Sequence, residues 1–240
     1  MNDYLRGLAR RFIRAEAESL RSHKAVLRLL SGVKASSLLD VGCADGSKAE
    51  QYAGRLGIKP AAVAGVETNR EYSKAAEKKF KVYIADLEKE RLPLPDESFD
   101  LIVCNQVLEH LKNIYGPLQE MDRVVKTGGH LLIGVPNLAG LYNRALLLLG
   151  KQPLCSAIDG PHVRGFAHSA MLEFLSRNGN FTVAACGGAN LYPLPWPLLD
   201  LSVGRFPGLS AYSFYLLEKV RHAPADCAWK PGPAGDTVFG

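Results

Sequence analysis

The chain has 240 residues, 47% of them hydrophobic and 22% charged, a composition typical of one globular α/β unit with additions. No run approaches the roughly 20 apolar residues that a membrane-spanning helix needs, so we predict none, and contact with a membrane surface stays open. The five cysteines include no C-x-x-C pair, and the first residues lack a secretory pattern. We therefore expect a cytoplasmic protein.

The net charge of +5 is concentrated at the start of the chain. Residues 1–35 hold eight Lys or Arg and three Asp or Glu, and the remaining 205 residues hold 21 of each sign. Apolar residues recur at helical intervals over 3–31, which predicts a basic arm of one or two amphipathic helices. Two interpretations stay open: the arm binds an anionic partner such as nucleic acid or a membrane surface, or it caps the edge of the sheet.

The stretch after this arm is the most informative part of the chain. Residues 38–41, Leu-Leu-Asp-Val, predict a buried strand, and the turn 42–46, Gly-Cys-Ala-Asp-Gly, precedes a helix from Ser47 to just before Gly57. Glycine permits positive φ and a close approach of the backbone to a ligand, and a helix N-terminus supplies free N–H groups. The spacing matches neither the dinucleotide pattern nor the Gly-Lys-Ser/Thr phosphate loop. We therefore expect a ligand other than a pyrophosphate.

Strands and helices alternate through the first half of the chain. Thr68 and Glu71 have the spacing of a capping box, which predicts a helix from there to about Lys79. Such alternation implies right-handed crossovers and a doubly wound parallel sheet, with its ligand at the carboxyl ends of the strands. Glu67 and Asp86 fall at those ends. Further strands are predicted at 62–67, 81–85, 99–104 and 129–135, and a further helix at 116–126.

The pattern is looser beyond Asn137. An apolar helix is predicted at 138–149, a loop rich in Gly, Pro, His and Arg at 151–167, and a helix from Ser169 to Gly179. Residues 187–210 are rich in proline and aromatic residues. Strands are predicted at 181–186 and 212–220, and the residues from 221 to 240 are expected to form a flexible tail.

Residues 39–46 resemble the first motif of the class I S-adenosylmethionine-dependent methyltransferases of the small-molecule type. The resemblance extends to 92–103, to Glu109-His110 behind it, and to 126–133, although Ala44 stands where the family usually has glycine. It implies a Rossmann-like methyltransferase fold, a mostly parallel seven-stranded sheet that ends in an antiparallel hairpin. The domains it implies are the arm at 1–35, the methyltransferase domain at 36–220, and acceptor-site insertions at about 138–168 and 187–210.

The resemblance also implies the cofactor and its binding residues. S-adenosylmethionine would lie at the strand ends and leave as S-adenosylhomocysteine. Glu67 would accept hydrogen bonds from both ribose hydroxyls, and Asp86 would accept one from the adenine amine. The glycine loop would hold the amino-acid end, with Asp40 behind it. The residues assigned to the cofactor are Asp40, Gly42, Cys43, Ala44, Gly46, Glu67, Thr68, Asp86, Leu87, Asn105 and Gln106.

Methyl transfer requires an aimed nucleophile and a site without water, and it needs a general base only when the acceptor is a hydroxyl or an acidic carbon. His110 and His162 are the candidate bases, and the alternative for each is a purely structural role. Some related enzymes use the Glu-His pair as metal ligands together with an acid three residues earlier. Because that position is Gln106 here, we predict no metal. The acceptor-pocket candidates are Glu109, Arg164, Tyr192 and Trp196.

Several functions stay open from the sequence. The first is methyl transfer to a small-molecule acceptor, possible examples being lipid-like or sugar-linked molecules, for which the apolar and aromatic insertions are suited. The second is a nucleic-acid methyltransferase that uses the basic arm. The third is a scaffold protein that binds the cofactor without catalysis. A nicotinamide dehydrogenase is disfavoured by the glycine spacing and by Asp86.

Overall fold

The protein, described here from a computed structural model, is built around one seven-stranded sheet. The structure describes the backbone of residues 3–177, 179–221 and 229, and the side chains of these residues from 16 onward except that of Trp196. The strand order is β3-β2-β1-β4-β5-β7-β6. The strands are β1 Leu38–Val41, β2 Val63–Glu67, β3 Lys81–Ile84, β4 Phe99–Asn105, β5 Val125–Pro136, β6 Phe181–Ala189 and β7 Tyr212–Lys219.

Strands β1 to β5 are parallel, and β7 is antiparallel to both of its neighbours. The predicted doubly wound, mostly parallel sheet with an antiparallel C-terminal pair is therefore confirmed. The carboxyl ends of β1, β2 and β4 meet at one edge, because parallel strands all point the same way. The helices are α1 Asp3–Leu29, α2 Ser47–Leu56, α3 Arg70–Ala76, α4 Tyr115–Val124, α5 Leu141–Leu148, α6 His168–Arg177 and α7 Trp196–Ser202.

The sheet is buried on both faces, which explains the continuous apolar runs of its central strands. Leu39 and Val41 of β1 pack on the face that α4 and α6 cover, whereas Leu38 packs on the face that α1 and α2 cover. Alternate residues of a strand point to opposite faces. Asp40 is thereby placed on the same face as Leu38, under α2.

Helix α3 begins differently from the prediction. The proposed capping box at Thr68 is wrong, because Asn69 is the N-cap residue and its Oδ1 accepts the Glu71 N–H at 2.9 Å. An asparagine oxygen satisfies a free N–H of the first turn as a threonine hydroxyl would. The helix also ends at Ala76, three residues before the predicted Lys79.

The second half of α1 is packed against the sheet. Ala25 and Val26 are fully buried, and α1 contacts β6 and β7. Arg21, only 3% exposed, donates from Nε to Asp200 Oδ1 at 2.8 Å and from a terminal nitrogen to Asn190 Oδ1 at 3.3 Å. This half of the predicted basic arm is thus part of the folded unit, while the side chains of residues 3–15 lie outside the described set.

The predicted flexible tail at 221–240 falls almost wholly outside the described residues. Its residue Trp229 is described and buried, with ring centroids 5.2 Å from Phe174 and 6.2 Å from Phe181. The chain therefore returns to the α6 side of the sheet at this position.

Within the described residues, no helix combines the length and the apolar character that a membrane crossing requires.

Candidate functional site

A cavity of about 360 Å³ opens at the carboxyl ends of β1, β2 and β4, and we call it the strand-end cavity. It is where the sequence analysis places a cofactor. The predicted residues that line it are Gly42, Ala44, Glu67, Thr68, Asp86, Leu87 and Gln106. Its other lining residues include the candidate base His110 and four residues that were not predicted, namely Asn69, Tyr72, Val107 and Leu111.

The glycine loop forms one wall of the strand-end cavity through its backbone. Gly42 has a φ of +75°, and a Cβ there would lie 2.5 Å from a methyl carbon of Val107, so no larger residue fits. Ala44 also has positive φ, at 46°, which strains a residue that carries a Cβ. The N–H groups of Gly42 and Cys43 both donate to the Val66 carbonyl, at 2.8 and 3.1 Å. These two amides are therefore already bonded within the protein.

Glu67 ties the glycine loop to the end of β2. Its Oε2 accepts the Ala44 N–H at 2.9 Å, and its Oε1 accepts the N–H groups of Thr68 and Asn69 at 2.9 and 2.8 Å. A carboxylate has about four lone-pair directions, so these three bonds fix its orientation at the cavity wall and leave further accepting capacity. The carboxylate thus combines a structural role with an exposed acceptor edge.

Asp86 lies at the far end of the same cavity, after β3. Its Oδ1 accepts the Glu88 N–H at 3.0 Å, and its Oδ2 forms an ion pair with Lys89 at 2.8 Å. The hydrogen bond from Lys89, followed by that from Glu88, lowers the pKa of Asp86. Asp86 is therefore an ionised acceptor at neutral pH. The neighbouring Tyr72, 55% exposed, presents an aromatic ring to the same cavity.

Four residues predicted to contact the cofactor do not line the cavity, namely Asp40, Cys43, Gly46 and Asn105. The Cys43 side chain instead packs in the core under α2, where a Cβ on Gly65 would meet its sulfur at 2.4 Å. Gly46 is the N-cap residue of α2, and its N–H donates to the Cys43 carbonyl at 2.8 Å. These residues shape the loop from behind, and their contact with the cofactor stays a prediction.

Asp40 is 4% exposed and lies beneath the glycine loop. Burial raises the pKa of Asp40 to about 7, and the charge of Glu67 adds to that rise while Lys48 opposes it. A carboxyl group so placed is half-protonated near neutral pH.

The Asn105 side chain lies over β5. Its Oδ1 is buried, and a Cβ built on Gly134 of β5 would lie 2.2 Å from it.

A second cavity, of about 230 Å³, adjoins the first, and we call it the loop cavity. Its walls come from distant parts of the chain: α1, the end of β5, α5, the loop before α6, the segments on either side of α7, and the start of β7. The residues that line it include Glu18, Pro136, Tyr142, Asn143, Leu154, Cys155, His162, Asn190, Tyr192, Leu209 and Tyr212. Tyr192 donates from its hydroxyl to Glu18 Oε1 at 2.6 Å.

Gln106 lines both cavities. It follows β4 with a φ of 60°, and its N–H donates to the Gly134 carbonyl at 2.8 Å. Its side-chain Nε2 is buried and has no hydrogen-bond partner. A buried donor without a partner costs about 1–3 kcal/mol, so this amide is available to a ligand at the boundary between the cavities.

The two candidate histidines lie on either side of that boundary. His110 lines the strand-end cavity and His162 the loop cavity, and their ring centroids are 4.9 Å apart. His162 Nδ1 lies 2.8 Å from the Cys155 carbonyl oxygen, and His110 Nδ1 lies 3.3 Å from that of Pro161. A carbonyl only accepts, so Nδ1 carries the proton in each ring and Nε2 is left as the basic nitrogen.

Glu109 completes a three-residue cluster with these histidines. It is 1% exposed, and neither carboxylate oxygen has a hydrogen-bond partner. Burial raises its pKa to about 7. One ligand atom from each of Glu109, His110 and His162 lies within 4.8 Å of the others, a spacing that can hold a metal ion. The sequence analysis predicted no metal, and this arrangement supplies the donor set that such an ion would need.

Arg164 and Trp196 were the other acceptor-pocket candidates. Arg164 does not line the loop cavity; its Nε donates to the carbonyls of Leu111 and Lys112, at 3.2 and 3.1 Å. Its guanidinium holds the chain that follows His110, and its contact with an acceptor stays a prediction. Trp196 is the first residue of α7, and its side chain lies outside the described set.

Sequence reasoning missed most residues of the loop cavity. Glu18, Asn190 and Tyr212 come from segments up to 194 residues apart along the chain, and no motif marks them. Tyr212 is mostly buried, which raises its pKa to about 12, with the charges of Glu18 and Glu109 adding to the rise. The predicted insertions at about 138–168 and 187–210 contain several of the lining residues, and they were the signal for this region.

A profile of a family described as "Methyltransferase domain" matches residues 39–133. The chain is also 30% identical over 177 residues to the ubiquinone biosynthesis O-methyltransferase of Alkalilimnicola ehrlichii, and the match covers 70% of each chain. The curated relatives matched first are covered over 34% to 70% of their own length.

Solved structures share the fold at lower identity. A methyltransferase of Thermotoga maritima, described as a possible histamine N-methyltransferase, is 22% identical, with a TM-score of 0.65 and coverage of 90% of this chain and 97% of that one. The N-methyltransferase NodS of Bradyrhizobium japonicum WM9, solved with S-adenosyl-L-homocysteine, is 20% identical with a TM-score of 0.55, covering 83% and 86% of the two chains. Both likenesses concern the fold.

Proposed function

The chain belongs to the class I S-adenosylmethionine-dependent methyltransferases, and from this premise we propose that it methylates a hydroxyl group of a small aromatic acceptor bound in the loop cavity. S-adenosylmethionine is the methyl donor and S-adenosylhomocysteine the product.

The residues that line the strand-end cavity offer the hydrogen-bonding groups that this donor needs. The donor carries a ribose diol, an adenine amine and an amino-acid end, each of which calls for hydrogen-bonding groups. Glu67 and Asp86 offer carboxylate oxygens at two ends of the cavity, and Gly42 lets the backbone approach where a Cβ would collide with Val107. We assign the ribose to Glu67 and the adenine amine to Asp86, with Tyr72 beside the ring.

The observation that carries the proposal is the shared wall between the cavities. Methyl transfer is an in-line displacement, so donor and acceptor must meet without intervening water. Gln106 lines both cavities, and His110 and His162 face each other across the same boundary. When bound, the donor supplies a methyl group activated by a positive sulfur. This chain's task is to hold the acceptor oxygen at the boundary and to take its proton.

His162 is the best-placed group for the proton. Its Nδ1–H is held by the Cys155 carbonyl, which leaves Nε2 as a base on the side of the loop cavity. The acceptor O–H would donate to Nε2, and the proton would pass to this nitrogen as the oxygen forms its bond to the methyl carbon. Glu109 then stabilises the positive charge that develops on the cluster, since the three ligand atoms lie within 4.8 Å.

Two observations support a hydroxylated aromatic acceptor. The loop cavity is lined by three tyrosines, Tyr142, Tyr192 and Tyr212, with aliphatic carbons of Leu154 and Leu209, and such walls suit a flat, partly apolar molecule. The relative from Alkalilimnicola ehrlichii is named as an O-methyltransferase. We transfer the hydroxyl chemistry from that relative to this chain as part of the proposal.

The cluster of Glu109, His110 and His162 also suits a second arrangement, in which these residues would hold a divalent cation and the cation would lower the pKa of the acceptor hydroxyl. The favouring observation is the buried carboxylate of Glu109 without a partner, which a cation would satisfy. Both arrangements give the same overall reaction. They differ in whether a chelator is expected to abolish the activity.

The experiment is a methyl-transfer assay with labelled donor. Catechol and 3,4-dihydroxybenzoate are offered as hydroxyl acceptors, aniline as an amine acceptor, and a short RNA as a macromolecular one. Labelled O-methyl product from the diols alone would support the proposal; methylation of RNA alone would move the function to nucleic acid, and tight product binding without turnover of any acceptor would favour the scaffold alternative. Loss of activity in EDTA, restored by Mg²⁺ or Mn²⁺, would assign the cluster to a cation.

A further inference from the structure

We propose that the loop after α5 seats the protein on an anionic lipid bilayer, at the mouth of the loop cavity. The segment 147–158 exposes five large aliphatic side chains to solvent. Leu148 is 88% exposed and Ile158 95% exposed, and such a concentration of exposed aliphatic side chains in one short segment is typical of an interaction surface. The other three are Leu147, Leu149 and Leu154.

The charge of this segment matches a negative surface. Residues 141–158 contain Arg144 and Lys151 and no Asp or Glu. Lys151 lies between the two exposed groups of aliphatic residues and is itself exposed. Exposed aliphatic side chains interspersed with cations are a pattern that inserts into the boundary between lipid headgroups and acyl chains. A protein partner would need a matching acidic rim, whereas anionic headgroups supply this charge without further specificity.

The first half of α1 points toward the same edge of the sheet. Leu29 packs beside Gly187 of β6, while Glu18, farther toward the N-terminus, lines the loop cavity beyond the end of that strand. The backbone helix continues to Asp3, which carries it a further ~20 Å at 1.5 Å per residue. Residues 4–15 contain four arginines and no acidic residue. By sequence, this half of the helix is therefore basic.

The segment 147–158 adjoins the loop cavity through Leu154. This residue lines the loop cavity and is 64% exposed, so it lies at the cavity mouth. Its neighbour Cys155 holds His162 through its carbonyl. An acceptor dissolved in the bilayer would therefore enter the cavity beside Leu154 without crossing water. This consequence rests on the proposed function, whereas the bilayer contact itself does not.

The test is flotation of the full chain with vesicles, without donor or acceptor. The probes are phosphatidylcholine vesicles and vesicles of phosphatidylcholine with 30% phosphatidylglycerol. We expect binding to the anionic vesicles, weakened at least fivefold by 0.5 M NaCl, and at least tenfold weaker binding in the variant Leu148→Ser/Leu149→Ser/Ile158→Ser. The matched control, Ile84→Ser/Val220→Ser, replaces partly exposed aliphatic residues elsewhere and should bind within twofold of the original chain.

S-adenosylhomocysteine affinity reports whether the variants remain folded. Equal flotation of the serine variant and the original chain, or no binding to anionic vesicles at all, would overturn the proposal. A third result would also overturn it: the original chain does not bind vesicles and is a dimer in light scattering, whereas the serine variant is a monomer. The exposed face would then be covered by a second copy of the chain. None of these results bears on methyl transfer in solution, which the assay with soluble diols measures separately.

Discussion

The strand-end cavity and the loop cavity share a wall but are assembled in different ways. The strand-end cavity draws all its lining from residues 42 to 111, mostly from positions just after strands. The loop cavity collects residues from 18 to 212. In a parallel sheet, the fold itself brings the strand ends together, so the first cavity follows from topology. The second depends on insertions and on a helix from the other end of the chain, which are free to vary without changing the sheet.

The largest effect should come from Glu67, on the strand-end side. Glu67→Ala removes the acceptor assigned to the ribose and three hydrogen bonds that hold the glycine loop. We expect S-adenosylhomocysteine to bind at least 100-fold more weakly in calorimetric titration, about 2.7 kcal/mol. Glu71→Ala is the matched control, since its carboxylate forms only an exposed pair with Lys74. Equal affinity of the Glu67 variant and the original chain would contradict the site assignment.

The second-largest effect is expected for a substitution of Glu109, at the boundary between the two cavities. Glu109→Gln should lower turnover about 100-fold while leaving S-adenosylhomocysteine affinity within threefold, because Glu109 belongs to the cluster and not to the lining of the strand-end cavity. With a pKa raised to about 7, the carboxylate is neutralised as the pH falls. The original chain should therefore lose kcat/KM as the pH falls through about 7, and its advantage over the variant should shrink over the same range.

The free energy of unfolding of the same variant tests whether the pKa of Glu109 is raised in the folded state. A carboxyl group whose pKa is raised in the folded state stabilises the fold fully at low pH and loses that contribution as the pH rises to about 7. Glu109→Gln should thus be more stable than the original chain at pH 8 by roughly 1–3 kcal/mol and close to it at pH 4 in denaturant titration. A gain of stability at low pH only would show that the pKa of Glu109 is not raised.

A smaller effect should follow from removing residues 1–15. The deletion leaves Glu18 and the buried part of α1, and none of the residues lining the strand-end cavity is lost. We expect S-adenosylhomocysteine affinity within threefold of the original chain in calorimetry. A full-length variant with Arg6, Arg10, Arg11 and Arg14 changed to Gln separates charge from length. A tenfold loss in the deletion alone would identify this segment as a cover over the cofactor.

The smallest effect is expected at Ala44. Its φ of 46° is one that glycine adopts without strain, so Ala44→Gly should raise the free energy of unfolding by up to about 1 kcal/mol. S-adenosylhomocysteine affinity should stay equal or improve slightly. Ala53→Gly, within α2, is the opposite control, because glycine destabilises a helix interior. A weaker-binding Ala44→Gly variant would mean that the methyl group itself contacts the cofactor.

The sequence was sufficient for the sheet and for much of the strand-end cavity, for the same physical reason. Apolar runs predict buried strands, and an acid such as Glu67 placed after such a run must lie at the carboxyl edge. Side-chain direction was harder: the alternation that puts Asp40 beneath the glycine loop, and Cys43 in the core, depends on which face α2 covers. The position of Arg164 could not be predicted, because backbone carbonyls of a nearby loop compete for its guanidinium.

The loop cavity shows the limit of local patterns. Its tyrosines are typical of an aromatic-rich segment, but nothing in the sequence pairs Tyr192 with Glu18, 174 positions earlier. His110 and His162 were both candidates, yet their contact across 51 intervening residues appears only in the folded chain. Sequence periodicity describes neighbours along an element, whereas this cavity is built from contacts between elements.

The packing of α1 has a consequence for how the chain is made. Arg21 pairs with Asp200, and α1 lies against β6 and β7, the last strands of the sheet. A ribosome adds residues one after another, so α1 cannot find its binding surface until about 190 further residues have followed its last residue. Through most of synthesis its apolar face has no docking surface on the protein. A nascent helix of this kind is a natural client for a chaperone, and mutations that delay the closing of β7 should reduce the yield of folded protein more than their effect on its final stability would indicate.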